Sequence, residues 1–136
     1  MAAPLDAIRE VPLFHELDDA ELEQVARLFK QRTFAVQETV AKEGSGGAAF
    51  YLIESGTAAV TVGGQERPGL GPGDYFGEIA LIDEGARSAT ITASEDLACY
   101  GLTYWDFRPL VMENAAICWK LLQFMVGRLR AAEARG

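Results

Sequence analysis

The stretch Gly71-Pro72-Gly73-Asp74-Tyr75-Phe76-Gly77-Glu78-Ile79-Ala80-Leu81-Ile82-Asp83-Glu84-Gly85-Ala86-Arg87-Ser88-Ala89-Thr90 carries the densest information in this 136-residue chain. Its glycines and its short apolar run give a loop, a helical turn and a second loop set between strands. A turn that begins at a glycine leaves backbone N–H groups without intrahelical partners, and these form an anion site with the helix dipole. Residues 77–81 supply such a turn. Arg87 adds an always-charged planar fork suited to two phosphate oxygens. A carboxylate beside an anion is useful only as an acceptor, so Glu78 is suited to the hydroxyl of a sugar. Arginine and glutamate together describe a sugar phosphate. The same two side chains also read as a salt bridge in a turn, worth ~0–1 kcal/mol when exposed, and the residues alone leave both readings open.

Outward from this stretch the chain alternates short apolar segments with glycines. Strands are expected at 33–36, 49–53, 58–62, 89–93 and 97–102, with turns at Gly44, Gly46-Gly47, Gly56, Gly63-Gly64 and residues 69–73. Short strands at this density predict a β-sandwich or barrel. Before them, Leu22, Val25, Ala26, Leu28 and Phe29 recur at near-helical spacing, and Asp18 with Glu21 has the form of a capping box, which predicts a helix over 18–30. After them the period turns helical at Thr103, with Asp106 as capping partner. A break near Glu113 and a new start at Asn114 predict a last helix over 115–130. Its stripe of Ile117, Leu121, Phe124, Met125 and Leu129 faces the core or a partner.

The bulk composition narrows the function classes. With 49% apolar residues, seven Phe, four Tyr and two Trp, the chain is large enough for one core and reads as a single domain over 1–136. A formal charge of -8 opposes direct binding of nucleic acid, which requires clustered Lys and Arg. One histidine, His15, removes the commonest ingredient of metal clusters and hydrolytic triads, so no metal and no catalytic residue is expected. Cys99 and Cys118 sit in apolar periodic segments and read as reduced thiols. The N-terminus lacks a secretory pattern and no apolar run reaches the ~18 residues of a membrane span, so a cytoplasmic protein with no membrane insertion is expected.

The pattern Phe76-Gly77-Glu78-Ile79-Ala80-Leu81 followed by Arg87-Ser88-Ala89-Thr90 closely resembles the phosphate-binding cassette of the cyclic-nucleotide-binding domain family. Landmarks outside the cassette resemble the family too: Val11-Pro12-Leu13-Phe14, Glu43-Gly44, Phe50-Tyr51-Leu52-Ile53 leading to Gly56, and Leu70-Gly71-Pro72-Gly73-Asp74. The resemblance implies a mainly β fold, a double-stranded β-helix or jelly-roll β-roll with N-terminal helices and two C-terminal helices. It divides the chain into an N-terminal helical segment (1–31), the roll (32–102) with its cassette (76–90), and hinge and lid helices (103–136). One departure is Ala86, where many members carry proline; losing it raises the ordering cost on binding by ~0.4–1 kcal/mol.

Residue by residue, the resemblance implies that Glu78 accepts the ribose 2′-hydroxyl and Arg87 pairs with the cyclic phosphate. Backbone N–H groups at Gly77, Ala80 and Ala89 complete the cradle, flanked by Phe76, Ile79 and Thr90. Ser88 offers a hydroxyl to phosphate or purine, and Val60 rests against the base. The C-terminal helix acts as a lid, with Arg128 placed over the purine as in bacterial channel-type members; offsetting the helix dipole is the alternative role for this arginine. Trp119 and Met125 read as packing residues. The implied ligand is cyclic AMP, favoured over cyclic GMP, in a sensor that is not an enzyme and needs no cofactor. The C-terminal helix is available for homodimerisation, and an effector domain in a longer protein is open. Two rivals stand beside this reading: the sensor half of a catabolite-activator-type transcription regulator, and a degenerate roll acting as an interaction module.

Overall fold

The computed structural model describes residues 3–46, 49–83 and 85–135; Gly47, assigned above to a turn, and Glu84 of the cassette lie outside them. The chain opens with α1 (Leu5–Arg9), a 3-10 turn (Pro12–Phe14) and α2 (Asp19–Ala26). The strands follow as β1 (Lys30–Phe34), β2 (Thr39–Ala41), β3 (Ala49–Ser55), β4 (Ala58–Val62), β5 (Gln65–Leu70) and β6 (Tyr75–Phe76). A second 3-10 turn (Glu78–Leu81) precedes β7 (Thr90–Ala93) and β8 (Leu97–Thr103), and α3 (Tyr104–Glu113) and α4 (Ala115–Arg135) close the chain. The described strands form two four-stranded sheets, ordered β1-β8-β3-β6 and β2-β7-β4-β5, with antiparallel pairing throughout. This is the expected mainly β roll with flanking helices.

Side-chain alternation along β3 and β8 sets the layers, because successive residues of a strand point to opposite faces. Phe50, Leu52, Tyr100 and Leu102 turn outward into a core shared with the helices, while Ile53, Leu97 and Cys99 turn into the roll with Ala41, Ala58, Ile91 and Ala93. Both strands are therefore covered on two sides. Phe14 joins the layers: its ring meets Phe50 edge-on at 6.1 Å and Phe107 at 5.9 Å. Burial pushes the Cys99 thiol up to about 11, which keeps it protonated and inert at neutral pH.

Local chemistry explains the helix ends. The Asp18 carboxylate accepts from the Glu21 N–H at 2.8 Å and the Glu21 side chain accepts from the Asp18 N–H at 2.9 Å, the expected capping box, although the helix it starts ends at Ala26. Thr103 caps α3 by accepting from the Asp106 N–H at 3.1 Å. Asn114 adopts an extended conformation and separates α3 from α4. The apolar stripe of α4 divides in two: Ile117 and Leu121 are buried, whereas Met125 and Leu129 face solvent. Near its base, α4 is tied to α2 by the Lys120 ammonium, which donates to Glu21 at 2.6 Å. No helix among the described residues is long and apolar enough to cross a membrane.

Four strands differ from the sequence expectation. β1 (Lys30–Phe34) starts three residues before the expected 33–36 and ends two before its end, because its register is set by pairing with β8. β2 and β6 contain three and two residues, too few for a periodic signal. β5 reads QERPGL, polar and with a proline, and is an edge strand whose pairing with β4 supplies its conformation; Gly69 thus lies in a strand and not in the expected turn. Replacing Phe14, a fully buried ring, with alanine is expected to lower unfolding stability by about 3–5 kcal/mol, measured by urea denaturation with unchanged far-ultraviolet dichroism before the transition.

Candidate functional site

Pairing of Phe76 with Tyr51 brings the end of β6 alongside the start of β3. Gly77 follows at φ +83°, a left-handed conformation that L side chains rarely adopt. A Cβ there would overlap the Arg87 Nη1 and lie 2.6 Å from the Ala49 carbonyl oxygen. The space is taken by the arginine: Arg87 Nη2 donates to that same carbonyl at 2.6 Å. Burial lowers the Arg87 pKa from its ordinary value and the neighbouring Tyr51 partly opposes this; the group stays cationic because that value lies far above neutrality. One nitrogen of the fork is thus anchored, and a guanidinium with five N–H donors keeps others for a bound anion.

The second half of the cassette is fastened by its backbone. The Arg87 N–H donates to the Ser45 carbonyl at 2.8 Å and its carbonyl accepts from the Gly44 N–H at 2.9 Å, with Ala86 bridged to Gly46. The Thr90 hydroxyl accepts from the Glu43 N–H at 3.0 Å, and the Glu43 carboxylate accepts from the Gly63 N–H at 2.9 Å. Thr90 therefore has a structural partner, and Glu43 ties its own loop to the start of β7 and to the turn between β4 and β5. Nothing in the local sequence around Glu43 announces that task, because its partners lie 20 and 47 residues away.

Glu78 opens the four-residue turn Glu78–Leu81. So short a turn has little macrodipole, which leaves individual N–H groups as the anion donors. The Ala80 N–H is already used, donating to the Gly77 carbonyl at 3.0 Å. Ala80 and Leu81 are buried while Ile79 is 61% exposed. The Glu78 side chain is only 18% exposed, and its Oε1 accepts from Arg128 Nη1 on α4 at 3.3 Å. Its Oε2 is buried and has no hydrogen-bond partner among the described residues. Glu78 is thus paired with Arg128, and the alternative salt bridge to Arg87 is replaced by the Arg87 contact with Ala49.

Arg128 also lies over the Phe124 ring, 5.5 Å from its centroid. Tyr75 stands close by, and its phenol is raised in pKa by burial and by Glu78, with Arg128 acting in the opposite sense. Val60, half-buried, packs against the roll interior with Phe76 and Ala89, and Ser88 is exposed. Phe124, Tyr75 and the Ala49 carbonyl are site groups that the sequence reading did not single out. The site combines a buried carboxylate oxygen that lacks a donor with a fixed cation. A buried polar atom without a partner costs about 1–3 kcal/mol, more when charged, and a hydroxyl-bearing anion removes that cost.

Comparison with known proteins agrees with this chemistry. A family model described as "Cyclic nucleotide-binding domain" matches residues 31–114. The chain is 35% identical over 127 residues to the cyclic AMP receptor protein of Thermus thermophilus, covering 90% of this chain and 59% of that protein. It is 37% identical over 95 residues to a cGMP-dependent protein kinase of Toxoplasma gondii, covering 70% of this chain and 10% of the kinase. The chain thus spans less than two thirds of either relative. Among solved structures, the N-terminal domain of a transcriptional regulator from Streptomyces coelicolor superimposes with a TM-score of 0.87 at 27% identity, covering 96% of this chain and 94% of that one.

Substituting Gly77 with alanine is expected to destabilise the fold by about 1–3 kcal/mol, because the left-handed backbone and the fixed Ala49 carbonyl both resist a Cβ. Thermal unfolding of the variant against wild type measures this, and an unchanged midpoint would mean that the arginine and the strand end shift freely.

Proposed function

Because the chain belongs to the cyclic nucleotide-binding domain family, we propose that residues 76–80 and 87–90, with Val60 and Arg128, form a site for a cyclic nucleotide, cyclic AMP in preference to cyclic GMP, and that the site is a sensor and not an enzyme. The observation that carries the proposal is the buried Glu78 Oε2 without a partner, beside an arginine anchored at its back by Ala49. In this reading Oε2 accepts the ribose 2′-hydroxyl and the free N–H groups of Arg87 pair with the cyclic phosphate. Backbone N–H groups of Gly77 and Ala89 assist, the exposed Ser88 hydroxyl lies within the same loop, and Val60 supports the base. The nucleotide is bound and released unchanged. The preference for cyclic AMP is supported by the Thermus relative, a cyclic AMP receptor matched over 90% of this chain.

Coupling to α4 is the second element of the proposal. A ligand shifts a conformational equilibrium only through contacts that differ between states. Glu78 provides such a contact, since one carboxylate faces both the proposed ligand and the α4 residue Arg128. Binding at the cassette therefore changes the free energy of α4 placement, and that helix transmits the signal to an effector in a larger cytoplasmic protein.

The exposed face of α4 adds a homodimer to the proposal. Trp119, Leu122, Val126 and Leu129 are 63%, 51%, 48% and 58% exposed and recur at spacings of three, four and three residues. That is the a/d spacing of a coiled coil, and its natural partner is α4 of a second copy. Light scattering is expected to give a dimer mass that Val126→Glu converts to a monomer; a monomeric wild type at high concentration removes the dimer from the proposal.

The direct test is titration calorimetry with cyclic AMP and cyclic GMP on wild type and Arg87→Ala. Wild type is expected to bind, cyclic AMP the more tightly, and the variant to lose about 3–5 kcal/mol, the cost of leaving a desolvated charge without its partner. No heat and no thermal stabilisation with either nucleotide would overturn the sensor reading.

A further inference from the structure

The Glu78 carboxylate is divided between two environments. Oε1 faces Arg128 at 3.3 Å, and Oε2 is buried without a donor. A carboxylate turns about a terminal torsion that is broad and nearly two-fold, so nothing within the glutamate decides which oxygen faces a ligand or in which plane its lone pairs lie. An ion pair to one oxygen decides both. We propose that Arg128 is a positioning residue: by holding Glu78 Oε1 it presents Oε2 as the acceptor for the ligand's 2′-hydroxyl, and so sets how strongly the site prefers a ribonucleotide over its deoxy counterpart. The inference rests on the cyclic-nucleotide reading above.

The surroundings of Arg128 suit this task. Its guanidinium lies against the Phe124 ring, one helical turn before it on the same face of α4, which limits where the long side chain can reach. The helix that carries it is fixed nearer its base, where Ile117 and Leu121 are buried and Lys120 donates to Glu21. Arg128 follows Lys120 by eight residues, about 12 Å of rise, so its Cα is held relative to the cassette even though its side chain is 49% exposed. The guanidinium half of the pair is solvent-screened, which limits what the ion pair adds to stability. Its effect falls on the orientation of the buried oxygen, where a misdirected lone pair weakens a charge-assisted hydrogen bond steeply.

This role differs from stacking on the purine in what it predicts. A stacking arginine contributes equally to any nucleotide with the same base. A positioning arginine contributes only when the 2′-hydroxyl is present. The comparison of cyclic AMP with 2′-deoxy cyclic AMP, in wild type, Arg128→Gln and Arg128→Lys, isolates the hydroxyl-dependent part as a double-mutant cycle does for two side chains.

Dissociation constants are measured by calorimetry, with competition for the weaker ligand and circular dichroism to verify folding. Wild type is expected to prefer the ribonucleotide by roughly ten- to a hundredfold, the range for a hydrogen bond to a charged group. Arg128→Gln is expected to reduce that ratio to about threefold or less while leaving 2′-deoxy cyclic AMP affinity nearly unchanged, and Arg128→Lys, which keeps the charge, to restore most of it. An unchanged ratio in Arg128→Gln, with both nucleotides weakened alike or neither affected, overturns the positioning role and leaves the sensor reading intact. Failure of wild type to bind either nucleotide overturns the sensor reading, and the positioning role falls with it.

Discussion

The guanidinium of Arg87 lies across Gly77 with its back against the Ala49 carbonyl, and the site depends on that contact. It joins three segments distant in sequence: the end of β6, the start of β3 and the loop before β7. Each has its own reason to be there. Tyr51 and Phe76 pair in the sheet with ring centroids 5.3 Å apart, and the loop carrying Arg87 is laced to Ser45 and Gly44 by its backbone. A larger residue than glycine at 77 would remove the room for the arginine. The positive charge is therefore placed by sterics within the chain itself, the preorganisation that the proposed anion site requires.

The cassette also sits where two cores meet. Leu81 packs into the helical core with Phe14, Phe107 and Leu121, whereas Phe76 and Ala89 pack against the interior of the roll. A segment shared between two packed regions cannot move in one without disturbing the other, since well-packed interiors have little free volume. This gives the turn Glu78–Leu81 a mechanical connection to α4 that is separate from the ion pair at Arg128. Electrostatic and packing contacts thus act on the same helix from one four-residue turn.

Much of this was legible in the sequence, where signals were local. The strand over 58–62, the capping box at Asp18 and the cap at Thr103 are read from neighbours within three residues, and the structure contains all three. β5 was not legible, because a polar, proline-containing edge strand takes its conformation from β4. The cassette residues Gly77, Glu78 and Arg87 were identifiable as a group, but their partners were not. Local chemistry allowed Glu78 and Arg87 to pair with each other; the fold gives Glu78 to Arg128, 50 residues on, and Arg87 to a main-chain carbonyl 38 residues back. The stripe on α4 likewise looked continuous, and only the fold shows that it leaves the core after Phe124, with Met125 and Leu129 exposed.

The anchoring of α4 near its base makes the helix a cantilever. Its root is embedded through Ile117, Leu121 and the Lys120–Glu21 contact, and its outer half projects past Arg128 to Arg135. A rigid arm converts a small rotation at the root into a larger displacement at the tip. The 14 residues from Leu121 to Arg135 span about 21 Å at 1.5 Å per residue, so a tilt of about 10° moves the tip by roughly 4 Å. The same tilt moves Ile117, about 6 Å from Leu121 along the axis, by only about 1 Å, so a small adjustment at the root is magnified several-fold at the tip, and the length of the helix fixes the gain.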